Sequence, residues 1–100
     1  MARFDIYEYG GGAPFLLDVQ ADLLADFKTR VVVPLWPLTQ AKQESVPKLK
    51  PVIKVKGKNY ILMTTEIGVE RTAALGPVIA NVEDQRQVII DALDFLFQGF

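Results

Sequence analysis

The hydrophobic pattern of this chain changes period once, near residue 82, and that change limits what the chain can fold into. Beyond it, Val88, Ile89, Ala92, Leu93, Leu96 and Phe97 recur at spacings of one, three and four. Those spacings place them on one stripe of an α-helix, predicted from about Val82 to Phe97. Before it, the apolar residues come in short runs rich in β-branched and aromatic side chains, broken by Gly and Pro, which is the pattern of short strands. The expected class is mainly β with a C-terminal α-helix. At 100 residues, half of them apolar, the chain has material for one core and reads as a single domain over residues 1–100.

Within the β portion, Phe4-Asp5-Ile6-Tyr7-Glu8-Tyr9 alternates apolar and charged residues and reads as a half-buried strand. Gly10-Gly11-Gly12 stops it, and a plain hairpin loop is expected because no Lys-Ser/Thr follows to make a phosphate cradle. Phe15 to Gln20 resumes as a strand, and Val31-Val32-Val33 is another with both faces apolar. Between them, Ala21 to Phe27 is open to two readings: a helical turn, or a connection whose Leu23 and Leu24 either tuck inward or form an exposed apolar tip. Prolines at 34, 37, 47 and 51 argue against regular sheet from Pro34 to Pro51 and confine any helix there to Thr39–Val46. Val52 to Lys56 and Tyr60 to Thr64 flank Lys56-Gly57-Lys58-Asn59 as a hairpin. Val69 and Thr72 hint at a further edge strand, closed by Gly76-Pro77. Asn81 is placed to cap the helix, and Glu83 and Asp84 suit its positive end. Asp91 and Asp94 sit in the last turns without a Lys or Arg of the helix beside them, either as ordinary solubilising groups or as an anionic face for a basic partner.

Composition removes several chemistries. With no Cys and no His, disulfides, the usual nucleophiles, thiolate and imidazole metal ligands and the commonest general base are absent. No cofactor and no metal is expected, since Asp18, Asp22 and Asp26 lie beside apolar residues and form no calcium loop. Thr64, Thr65, Glu66 and Arg71 offer the groups of a His-free nuclease, although Thr and Glu at such positions are more often structural. A net charge of −1 gives no blanket positive field, so direct nucleic-acid binding is not expected. The charge is nevertheless uneven. Lys42, Lys48, Lys50, Lys54, Lys56 and Lys58 face only Glu44 in the middle, whereas Glu83, Asp84, Asp91 and Asp94 face only Arg86 near the end. No run approaches the ~18 apolar residues of a membrane span; no membrane association and a soluble, cytoplasmic protein are expected.

Six stretches occur in the order and spacing of the CcdB toxins, a family the chain resembles over almost its whole length. They are Phe4-Asp5-Ile6-Tyr7-Glu8-Tyr9, Leu17-Asp18-Val19-Gln20-Ala21-Asp22-Leu23-Leu24, Arg30-Val31-Val32-Val33-Pro34-Leu35, Pro51-Val52-Ile53, Met63-Thr64-Thr65 and Phe97-Gln98-Gly99-Phe100. The joint match of Asp-Val-Gln, Pro-Leu, Met-Thr-Thr and an end one residue beyond a Gly is more specific than any one piece. The Gly-rich hairpin and the Pro34 to Lys50 segment match poorly.

The resemblance implies an SH3-like barrel with a C-terminal helix, of the type shared with the MazF and Kid ribonuclease toxins, assembled as a homodimer. A small half-apolar barrel also has more hydrophobic surface than one core can hide, and Leu93, Leu96 and Phe97 are expected to contribute to the dimer interface or lie beneath it. The implied activity is that of a non-enzymatic toxin that binds DNA gyrase A and traps the gyrase–DNA cleavage complex. Its implied antagonist is a CcdA-like antitoxin whose disordered tail folds along the toxin; the lysines from 42 to 58 would suit an acidic tail. Carried over residue by residue, the gyrase-binding surface comprises Leu23, Leu24, Asp94, Gln98, Gly99 and Phe100. The gyrase poisons of the family carry a Trp just before the Gly, where this chain has Gln98, a side chain without a π face. A ribonuclease on the related barrel and a binding module without toxicity are the other two readings.

Overall fold

The computed structural model describes residues 1–100. Its first strands, β1 (Asp5–Glu8) and β2 (Phe15–Asp18), form the expected hairpin, with Ile6 opposite Leu17 and Glu8 opposite Phe15. The glycine run is the connecting loop. Gly12 has φ +122°, where an L side chain is strained, and a Cβ at Gly11 would lie 2.5 Å from the end of the Tyr9 side chain, which would have to move aside.

β3 (Thr29–Pro37) pairs with β2 throughout β2's length and carries two further neighbours on its other side. Its first half pairs with β6 (Gly68–Arg71) and its end with β5 (Lys58–Leu62), itself in a hairpin with β4 (Val52–Val55). β7 (Val78–Asn81) adds to β1, giving the order β4-β5-β3-β2-β1-β7 with β6 beside β3. The result is a mainly antiparallel half-barrel.

Three expectations need correction. Sheet does continue past Pro34, as far as Pro37. Antiparallel alternation turns the main chain of Pro34 away from β2, into the gap between β6 and β5. There its carbonyl accepts Met63 N–H at 2.9 Å and its missing N–H is not needed. The helical stretch that follows, α1 (Leu38–Ala41) with a 3₁₀ turn over Lys42–Glu44, begins one residue earlier than its expected window. Finally, Gly76-Pro77 does not only close a segment, since β7, a half-buried to exposed strand, begins at the next residue.

The terminal helix, α2 (Arg86–Gln98), is preceded by a 3₁₀ turn over Glu83–Gln85. Asn81 caps that turn by accepting Glu83 N–H on Oδ1 at 3.0 Å, while its Nδ2 donates to Arg3 O and Asp5 Oδ1. The buried stripe of α2 is narrower than its sequence suggests. Ile89 and Ala92 enter a core of Phe4, Ile6, Leu17, Val33, Leu35 and Leu62, and Leu93 packs against it. Val88 and Phe97 stay largely exposed. Replacing Ile89 by Ala removes the main apolar anchor of the helix and should cost about 2–5 kcal/mol. Urea unfolding should show this as a lower midpoint with an unchanged slope.

Candidate functional site

The part of the surface that carries Leu23 and Leu24 is held in place by a charged group buried in the sheet. Asp18, at the end of β2, takes two hydrogen bonds from Arg30 of β3, Nε to Oδ2 at 2.7 Å and Nη2 to Oδ1 at 2.9 Å. Tyr7 of β1 donates its hydroxyl to the same Oδ2 at 2.5 Å. All three side chains are fully buried, and Arg30 Nη1 has no protein partner. Asp18 Oδ1 also accepts Gln20 N–H at 3.0 Å. The Gln20 amide then extends the chain of bonds, accepting Val31 N–H at 3.0 Å and donating to Leu24 O at 2.9 Å. With Asp22 Oδ1 accepting Arg3 N–H at 2.8 Å, this fixes a 3₁₀ turn over Asp22–Leu24.

That turn resolves the open reading of residues 21–27. It is helical, and its apolar side chains point out: Leu23 is 93% exposed, with Leu24 and Phe27 also uncovered. The second half of the surface is the end of α2. Gly99 closes the helix in the left-handed region at φ +81°, its N–H bonded to Phe95 O at 2.9 Å, a conformation in which any Cβ is strained. Asp94 and Gln98 are exposed, Phe97 and Phe100 are 70% and 75% exposed, and Leu96 is half-buried. No hydrogen bond or ion pair within the chain joins the Asp22–Leu24 turn to the helix end. The cation missing from the last turns of α2 comes from another segment: Lys48 Nζ lies 5.6 Å from the centre of the Phe95 ring. Asp91 is held by Gln87 at 2.8 Å, whereas Asp94 has no partner.

The nuclease-like group does not assemble. The Thr64 hydroxyl is fully buried and donates to Leu62 O at 3.4 Å, while Thr65, Glu66 and Arg71 are exposed on a turn and on β6. No group of three or more carboxylates converges to hold a metal ion, and no helix is long and apolar enough to cross a membrane. The buried Tyr7–Asp18–Arg30 group escaped the sequence reading, although one signal was present. Asp18 and Arg30 occupy strand positions whose neighbours are apolar, where a charge persists only if it is paired.

The chain is a small half-barrel with a terminal helix, and large apolar side chains are uncovered at the Asp22–Leu24 turn and at the end of α2. The model of the CcdB protein family matches residues 3–99, and the chain belongs to that family. Its toxins are non-enzymatic poisons of DNA gyrase, which removes the ribonuclease reading.

Burial, and next the hydrogen bond to Asp18, hold the Tyr7 phenol well above its ordinary value of 10. The folded protein therefore keeps a proton that the unfolded chain releases above pH 10. Its contribution to stability is complete below that pH and declines as pH rises beyond it. Spectrophotometric titration should show one tyrosine that ionises only with loss of the fold. Tyr7→Phe should cost about 1.5–3 kcal/mol at neutral pH and flatten the alkaline decline.

Proposed function

We propose that the protein is a toxin that binds DNA gyrase A as a homodimer and traps the gyrase–DNA cleavage complex in the cytoplasm, opposed by a CcdA-like antitoxin. The observation that carries this reading is the family match over residues 3–99. The contact surface is assigned to Leu23, Leu24, Asp94, Gln98, Gly99 and Phe100. Its supports are physical. Leu23 and Phe100 are large apolar side chains left uncovered on one chain, which favours a surface that another protein covers. Asp94 is an exposed carboxylate without a partner, suited to the arginines of a basic target.

Two-fold assembly offers cover to further exposed apolar residues, Phe27, Val69 and Phe97 among them, which a monomer leaves in water. Light scattering at micromolar concentration should return twice the 11.2 kDa chain mass; a monomer mass would remove the shared surface.

Gln98 is the weak point of the surface. Supplying an indole there, by Gln98→Trp, offers a flat π face to arginine side chains, worth about 0.5–2 kcal/mol per contact. Affinity for a gyrase A fragment should rise about tenfold. Deleting residues 98–100 should abolish growth inhibition and gyrase-mediated DNA cleavage with little loss of stability, because those residues are exposed. A truncated protein that remains fully toxic, together with a Gln98→Trp variant unchanged in gyrase binding, would overturn the assigned surface.

A further inference from the structure

The terminal helix packs on one face of the sheet, where Val33 and Leu35 of β3 and Leu17 of β2 share a core with Ile89 and Ala92. Alternation turns Val32, Pro34 and Trp36 of β3 and Leu16 of β2 to the other face, with Leu16 opposite Pro34. On that face lies a cavity of about 300 Å³ whose lining includes these four residues. Its volume is at the lower end of small-molecule sites.

Leu16 and Val32, each 3% exposed, make an apolar floor. Tyr9 and Trp36, both half-buried, are aromatic walls. Tyr9 follows β1 directly and reaches across to β6, donating its hydroxyl to Glu70 Oε1 at 2.8 Å. Gly11 lets the hairpin loop run against the end of the Tyr9 side chain, since a Cβ there would lie 2.5 Å from it.

The rim is acidic and has no cation of its own. Glu66 and Glu70 line the cavity, no Lys or Arg does, and neither carboxylate is in an ion pair. Tyr9 engages one oxygen of Glu70 and leaves the other to a ligand. Carboxylates and aromatic rings both attract positive charge, and here they surround the same space. A metal ion is the wrong occupant, because a calcium ion takes about six to eight oxygens and the apolar floor supplies none.

We propose that this cavity binds a small organic cation with a methylated ammonium head. The methyl groups pack on Leu16, Val32 and the rings of Tyr9 and Trp36, and Glu66 and Glu70 balance the charge. A methylated head has no N–H donors to satisfy, so it enters an apolar-floored cavity at lower cost than a primary ammonium ion, which must find partners for each of its donors. The cavity shares no residue with the gyrase surface, and its ligand stands or falls independently of that reading.

The test is titration of the protein with choline and, in parallel, with neohexanol, the uncharged alcohol in which carbon replaces the ammonium nitrogen. Trp36 is the only tryptophan of the chain, so its fluorescence reports on the cavity. Choline should change that emission saturably, with a dissociation constant of about a millimolar or tighter, and neohexanol should bind at least about tenfold more weakly. Replacing Glu66 and Glu70 together by Gln should weaken choline at least about tenfold; Glu66→Gln alone, at an exposed position, should weaken it less. Tyr9→Leu should also weaken choline, whereas Tyr9→Phe, which keeps the ring and releases Glu70, should not. Circular dichroism first establishes that each variant is folded. The proposal is overturned if choline leaves the Trp36 emission unchanged, if neohexanol binds as tightly, if calcium displaces choline, or if the Gln variants bind choline as the parent protein does.

Discussion

The bidentate pair between Asp18 and Arg30 is the interaction on which the sheet depends. It joins β2 to β3, and the Tyr7 hydroxyl brings in β1, so three consecutive strands meet at one carboxylate. Such a group is not a cheap source of stability, because removing both charges from water costs several kcal/mol before their attraction offsets it. Its effect is on alternatives. A slip of one residue between β2 and β3 would turn Asp18 and Arg30 to opposite faces and leave two unpaired charges among apolar side chains. Losing one partner leaves the other as an uncompensated buried charge, at about 3–5 kcal/mol. The pair fixes register, and through Gln20 it also fixes the turn that presents Leu23 and Leu24.

Both hairpins and the terminal helix were legible because each is specified locally. The alternation around Gly10-Gly11-Gly12, the Lys-Gly turn, and the spacing from Val88 to Leu96 each act within a few residues. The rest depends on contacts that local pattern does not carry. Pro34 argues against a strand when read alone. It is harmless because β3 changes neighbours at that residue, which only the full sheet order reveals. β7 is four residues long and abuts the helix start, so no alternation had room to show. Of the candidate site, the exposure of Leu23 was one of the readings left open by propensity, and the bonds that hold the turn include Val31 to Gln20 and Arg3 to Asp22, 11 and 19 residues apart in sequence. Lys48 beside Phe95 is the same lesson: the helix lacks a cation in sequence and acquires one in three dimensions.

A member of a family of non-enzymatic toxins acts through its surfaces. Those surfaces separate by charge. The β4–β5 hairpin carries unpaired lysines, whereas the end of α2 carries an unpaired Asp94 among exposed aromatics. With a net charge of −1, the molecule has almost no long-range field as a whole, and recognition is set by local patches of opposite sign. Two dissimilar partners can then be addressed without one patch attracting both.

The way α2 ends has an evolutionary consequence. Gly99 completes the helix with a single main-chain bond, and the side chains around it, Phe97, Gln98 and Phe100, project into solvent. Substitutions there pass almost unnoticed by folding, whereas Asp18, Arg30 and Tyr7 tolerate almost none. Changes at the tip can therefore alter what the protein meets while the sheet, which decides whether it folds, stays as it is. A few terminal substitutions, at Gln98 among other positions, can re-aim the surface without putting the fold at risk.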